Sequence, residues 1–260
     1  MKIVTYNVRC VWKDDGPDGT NGFINRAGMA YEKISEEMPD VIGFQECHAD
    51  HVNFLKRVFP EYLFLGHFRN ADYDGEGVFT AFLKDKYDLL AYETFWISPT
   101  PYVSGSRFEI QSDCPRTCVM TQIRNKETGK IIRVFNFHLD HISDEARVQG
   151  MDMIMDKIDE YNAKAQYPTV ILGDFNARPE SSVIKLCNSR FTDVTANLPV
   201  TFHNYGRGSE DNNGEGVKID YIFVTKELAD KAQSTVIWDE CINGIYLSDH
   251  YPVCAEFKED

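Results

Sequence analysis

The sequence predicts an α/β fold in which two sheets pack face to face with helices outside. Three observations lead there. Nine short β-branched or aromatic runs recur along the 260 residues, four amphipathic helical patterns are interspersed among them, and no low-complexity tract or linker rich in Pro, Gly or Ser divides the chain. Nine strands need a large sheet or a pair of sheets, and helices set between them cover the outer faces.

Taken in order, residues 3–6 form a strand directly after Met1 and Lys2, with no apolar leader region and no cleavage site. A helix over 27–38, a strand over 41–44 and a helix over 51–59 follow, then strands over 78–83, 89–97, 119–123 and 131–137. The longest helix is expected over 145–161. There Val148, Met151, Ile154, Met155, Ile158 and Tyr161 form one apolar stripe, while Asp152, Asp156, Lys157 and Asp159 fall largely opposite. That methionine-bearing stripe reads as core packing. A strand over 169–172, a short helix over 181–186 and strands over 219–224 and 253–257 complete the pattern. Layered domains of this kind often run to about 200–250 residues, so residues 1–260 are expected to form one domain, and a monomer.

Composition narrows the function. Against 41 Asp and Glu stand 27 Lys and Arg, a net charge of −14, which repels a long polyanion on average. A small phosphorylated substrate stays compatible with that charge, because a bound cation reverses the sign of its own site. The seven cysteines are scattered and lack the two-residue spacing of zinc or redox sites, so they read as reduced thiols of a cytoplasmic protein. No apolar run is long enough to span a bilayer.

The chemistry-bearing residues sit where apolar runs end: Thr5-Tyr6-Asn7, Gln45-Glu46, Asn136-Phe137-His138, Gly173-Asp174-Phe175-Asn176, Ile219-Asp220-Tyr221 and Ser248-Asp249-His250. Hard cations such as Mg²⁺ prefer carboxylate and amide oxygens, and phosphoryl chemistry combines such a cation with proton donors and acceptors. A metal-dependent phosphoesterase is therefore expected. Asp174 and Asn176, two residues apart on an extended segment, project the same way and can hold a water and a phosphate oxygen together, although Gly, Asp and Asn also make an ordinary turn. Asp220, set among residues that want burial, needs a partner, and His250 would be fixed in one tautomer by it. Glu46 at a strand end is a natural metal ligand. In His138-Leu139-Asp140-His141 the two imidazoles would point to opposite sides of a strand, and the other ligands are hard oxygens, so Mg²⁺ or Mn²⁺ is favoured over zinc. The glycine-rich stretch 206–216 lacks the Lys-Ser/Thr pair of a phosphate loop.

The ordered set Asn7, Glu46, His138, Asp174-x-Asn176, Asp220 and Ser248-Asp249-His250 resembles the endonuclease/exonuclease/phosphatase family of the DNase I-like superfamily, over nearly the whole chain. The resemblance implies a four-layer α/β sandwich with the site at one edge of two mixed sheets, and Mg²⁺-dependent cleavage of a phosphoester. It implies Glu46 as principal metal ligand with Asn7 and Asp249 in support, and Asp174 and Asn176 positioning water and phosphate. His250, oriented by Asp220, would be the base or a phosphate-stabilising group, and His138 a partner of a nonbridging or leaving oxygen. Glu76 would pair with His138, and Arg116 would lie near the phosphate.

Departures from the family pattern bear on substrate. Arg9 stands where apurinic-site nucleases carry an acid, and no run of basic residues interleaved with aromatics follows a nucleic-acid backbone. Two polar segments, 12–21 and 203–214, are placed to overhang the site and suit a hydroxylated small molecule. A small phosphomonoester or phosphodiester is thus the expected substrate, with single-stranded or damaged nucleic acid as the alternative partner and a noncatalytic binding module as the third reading.

Overall fold

In the computed structural model, which describes residues 1–11 and 19–259, helices and strands alternate from the first residues onward. In chain order the elements are β1 (Lys2–Asn7), α1 (Phe23–Glu37), β2 (Val41–Cys47), α2 (Ala49–Val58), β3 (Tyr62–Phe68), β4 (Gly77–Leu83), β5 (Tyr87–Trp96) and β6 (Thr117–Asn125). They continue with β7 (Ile131–His138), α3 (Asp144–Asn162), β8 (Thr169–Asp174), α4 (Ser182–Asn188), β9 (Thr192–Asp193), β10 (Asp220–Val224), α5 (Lys226–Ala229), β11 (Ala232–Ile237), β12 (Cys241–Ile242), β13 (Ile245–Tyr246) and β14 (Val253–Phe257).

Each expected strand and helix is present. Two strands of ordinary length, β3 and β11, went unpredicted. Both are half-exposed edge strands of the six-stranded sheet β11-β14-β1-β2-β4-β3; β11 lacks an apolar run, and in β3 the run Tyr62-Leu63-Phe64-Leu65 is short and broken at Gly66. The second six-stranded sheet runs β5-β6-β7-β8-β10-β9. Alternation along β1 shows how the layers form. Val4 and Tyr6 pack outward with Ala30 and Ile34 of α1 and Val52 and Leu55 of α2, while Ile3 points inward with Val134, Val170 and Leu172 of the other sheet. On the far side Met151, Ile154, Met155 and Ile158 of α3 and Val183, Ile184 and Cys187 of α4 cover Phe135, Phe137, Ile171 and Phe223. The result is the four-layer α/β sandwich.

At the centre of each sheet lies one parallel pair, β1 with β2 and β7 with β8, so four strands deliver their carboxyl ends to the same edge. There Asn7 stands beside Gln45, and His138 beside Asp174. Asp220 opens β10 directly opposite Asp174, because β10 runs antiparallel to β8.

Near this edge the space between the sheets changes from apolar to polar. Asn136 of β7, fully buried, accepts from Gln45 Nε2 at 2.7 Å and donates to the Phe79 carbonyl at 2.9 Å. Gln45 Nε2 also reaches Thr5 Oγ1 and the Gly43 carbonyl, both at 3.1 Å. Gly43 makes this close approach feasible, since a Cβ there would meet Leu172 Cδ1 at 2.2 Å. Asn136, which the sequence places beside His138, is thus a clamp between the sheets. Asn136→Ala should cost about 2–4 kcal/mol, because Gln45 and the Phe79 carbonyl lose a buried partner. Urea unfolding of the two proteins reads the difference, and a loss below about 0.5 kcal/mol would exclude the clamp.

Candidate active site

Each residue of the site is held by the end of an element. Glu46 occupies the irregular end of β2, where the register with β4 shifts between Phe44 and Cys47, and its φ of 59° puts it in the left-handed region. Arg9 (φ 59°) and Asn176 (φ 48°) share that unusual backbone, so three site residues are held in conformations that the surrounding structure must impose. Asn7 Nδ2 donates to Glu46 Oε1 at 3.0 Å and to Asp174 Oδ2 at 2.9 Å, bridging carboxylates from the two sheets. The backbone amide of Cys10 donates to Glu46 Oε2 at 2.9 Å.

Asp174 sits between two imidazoles: its Oδ2 lies 3.4 Å from His138 Nε2 and 3.8 Å from His250 Nε2. The pairing expected of Asp220 is present, with its Oδ2 2.8 Å from His250 Nδ1. Burial alone would discharge His250, but the Asp220 charge and hydrogen bond, aided by Asp249 and Asp174, push its pKa up to about 10. The ring is therefore an imidazolium near neutral pH. His138 moves the other way, well below the ordinary value, through burial and the neighbouring Arg116. Asn176 Nδ2 donates to the Leu139 carbonyl at 3.2 Å and also faces His138 Nε2 at 2.9 Å, so that ring nitrogen accepts and the proton sits on Nδ1. Asp174 is pushed up to about 7, first by burial and then by Asp220. For Glu46, burial is outweighed by His138, Arg9, His250 and the Asn7 bond, and the carboxyl is held below its ordinary range.

Three expected partnerships change. Asp249 is buried with Oδ2 3.1 Å from Arg9 Nη1 and with Ser248 Oγ donating to Oδ1, and Asp174 rather than Asp249 groups with Glu46. Arg9, a cation two residues after Asn7, draws Asp249 to itself. Asn7 serves as a donor that holds the carboxylates, with its Oδ1 taken by the Arg9 amide at 2.9 Å. Glu76 lines the same cleft and pairs with Arg69, at 2.5 Å. Ligand atoms of Glu46, Asp174 and His250 lie within 4.8 Å of one another. Two carboxylates that close, linked by one amide, make a donor set suited to a hard divalent cation.

A cleft of about 940 Å³ opens over this constellation. Among the described residues five arginines line it (Arg9, Arg69, Arg116, Arg147 and Arg178) and no lysine does, although the sequence holds more lysines than arginines. Rigid planar donors of this kind match phosphate oxygens. Arg116 is 4 % exposed, and its Nε and Nη1 have no protein partner. His141 also lines the cleft, so it and His138 do not face apart. The chain leaves the strand at His138, and His141 stands in the turn beyond. Of the polar segments, 203–214 reaches the rim through Ser209 and Asp211, whereas 12–18 lies outside the described residues. Sequence reasoning did not single out Arg69, Arg147 or Arg178, and it weighed His141 only as a partner of His138 in a transition-metal site. For Arg178 a signal existed, two residues after Asn176; for Arg69 there was none. All seven cysteines are unpaired, and among the described residues no helix is long and apolar enough to cross a membrane.

Comparison with known proteins identifies the fold and the family. A crystal structure of an endonuclease/exonuclease/phosphatase from Bacteroides vulgatus superposes with a TM-score of 0.87 at 29 % identity, over 99 % of this chain and 98 % of that one. The mannosyl-6-phosphatase of Bacteroides thetaiotaomicron superposes with a TM-score of 0.86 at 24 % identity, over the full length of both chains. TDP2 of D. rerio, complexed with a single-strand DNA product, shares the fold with a TM-score of 0.74 at 19 % identity, over 100 % and 99 % of the two chains. The model of the Endonuclease/Exonuclease/phosphatase family matches residues 4–250, and the chain belongs to that family.

Proposed function

We propose that the protein is a Mg²⁺-dependent phosphoesterase that hydrolyses a small phosphorylated, hydroxylated molecule. The observation that carries this reading is Asp174 held between the carboxylate of Glu46 and the imidazolium of His250, beneath a cleft lined by five arginines and three histidines. Glu46, held ionised, would bind the cation with Asp174 across from it. Mg²⁺ there supplies neutralisation of charge on the phosphoryl oxygens. Mn²⁺, an equally hard cation, would substitute. Asn176 and Asp174 would place the water, and Asp174 Oδ2, which lies between the two imidazoles, would accept its proton. His250, kept charged by Asp220, would stabilise the phosphoryl group, and Arg116 would offer its free donors to a phosphate oxygen. In-line displacement by water needs no covalent intermediate.

A small ester is favoured over a polymer because Glu46, Glu76, Asp144, Asp174, Glu180 and Asp211 line the same cleft as the arginines. The family relative that acts on a mannosyl phosphate supports this choice, and the one seen with DNA supports the alternative.

Purified protein with Mg²⁺ should hydrolyse p-nitrophenyl phosphate or hexose phosphates and lose the activity in EDTA. Glu46→Ala and His250→Ala should each lower kcat/KM by about 10²–10⁴-fold with an unchanged circular dichroism spectrum. Cleavage confined to single-stranded oligonucleotides would move the assignment to nuclease, and no cleavage of any phosphoester would leave a binding module. The second test concerns pH. His250 stays charged until pH rises through about 10, so wild-type kcat/KM should hold on the alkaline side. Asp220→Asn removes the main source of that upward shift, and the alkaline limb should move to lower pH. A limb that stays in place would exclude His250 as the charged group.

A further inference from the structure

The turn after β7, residues 139–143, is built more tightly than a connection requires, and the chemistry above uses none of its side chains. Asp140, 3 % exposed, organises it. Its Oδ1 accepts from the amides of Ile142 at 3.0 Å and Ser143 at 2.7 Å, and its Oδ2 accepts from the amide and hydroxyl of Ser112. The Asp140 carbonyl accepts from Arg147 Nη1 at 2.7 Å, and the Leu139 carbonyl from Asn176. The turn is thus tied to the 112 loop, to α3 and to the reaction centre. What it carries to the cleft is His141, an exposed ring beside a buried arginine.

His141 Nδ1 lies 3.0 Å from Arg116 Nη2. A guanidinium has no acceptor, so the Nδ1 lone pair accepts, and a neutral ring must then carry its proton on Nε2. Partial burial of the ring, and after it the adjacent guanidinium, oppose a second proton. Arg116 thereby fixes the tautomer of the ring, and it still keeps Nε and Nη1 free. Charged groups already serve the phosphoryl group, and a neutral donor on the His138 side of the site fits an uncharged oxygen.

We propose that His141 is a specificity-determining residue whose Nε2–H donates to a hydroxyl or ring oxygen on the alcohol side of the ester, held in that tautomer by Arg116. The inference rests on the phosphoesterase reading and adds which part of the substrate is recognised, and by what.

The test compares glucose 6-phosphate with phenyl phosphate, whose leaving group has no oxygen beyond the ester. In His141→Ala the ratio of the two kcat/KM values should fall about tenfold, as one lost hydrogen bond predicts, and His141→Gln, which keeps a donor, should recover most of it. Nitrogen-15 spectra of the histidine rings should show His141 neutral and protonated on Nε2 at pH 7. An unchanged ratio in His141→Ala would overturn the proposal, as would equal losses on both esters or a ring protonated on Nδ1. If wild-type protein hydrolyses neither ester, the phosphatase reading falls and this inference with it. Wild-type turnover with an unmoved ratio sinks the inference alone.

Discussion

The constraint on which the structure turns is buried negative charge. Asp174, Asp220 and Asp249 are each no more than 2 % exposed, and half-buried Glu46 stands among them, where like charges out of water repel strongly. Every carboxylate has an assigned counterpart. Asp220 has His250, Asp249 has Arg9, and Glu46 and Asp174 share the amide of Asn7. The last pair is bridged by a neutral amide, and that is where a divalent cation would bind in the proposed chemistry. The same accounting sets the proton affinities: the imidazole facing three carboxylates is held charged, and the one beside Arg116 is held neutral.

Such an arrangement needs a rigid frame, because an error of about 1 Å in placement weakens a reaction centre severely. Two parallel strand pairs supply the ends, and the Gln45–Asn136 clamp sets the spacing between them. That clamp belongs to the fold and also bounds the site, since Gln45 precedes Glu46 and Asn136 lies two residues before His138. Left-handed backbone at Arg9, Glu46 and Asn176 turns these side chains out of the strand direction.

Much of the fold was legible because its interior strands and helices are buried, and burial writes a periodic apolar pattern. Edge strands β3 and β11 were not, because half-exposed strands need no such pattern. Candidate residues at strand ends were legible for a related reason: an acid, amide or histidine that ends an apolar run is conspicuous. Of the cleft arginines, Arg69 and Arg147 stood out from nothing around them, since in sequence they look like any surface arginine.

The sequence by itself determined the inventory: which elements form, which polar groups close them, and that the order of those groups resembles one family. Tertiary structure decided the partnerships. Asp249 goes to Arg9, Glu76 to Arg69 and His141 to Arg116, pairings that span 7 to 240 residues of chain. Local sequence carries burial and turn preference, whereas Coulombic pairing falls off with distance in space, and only the folded chain sets that distance.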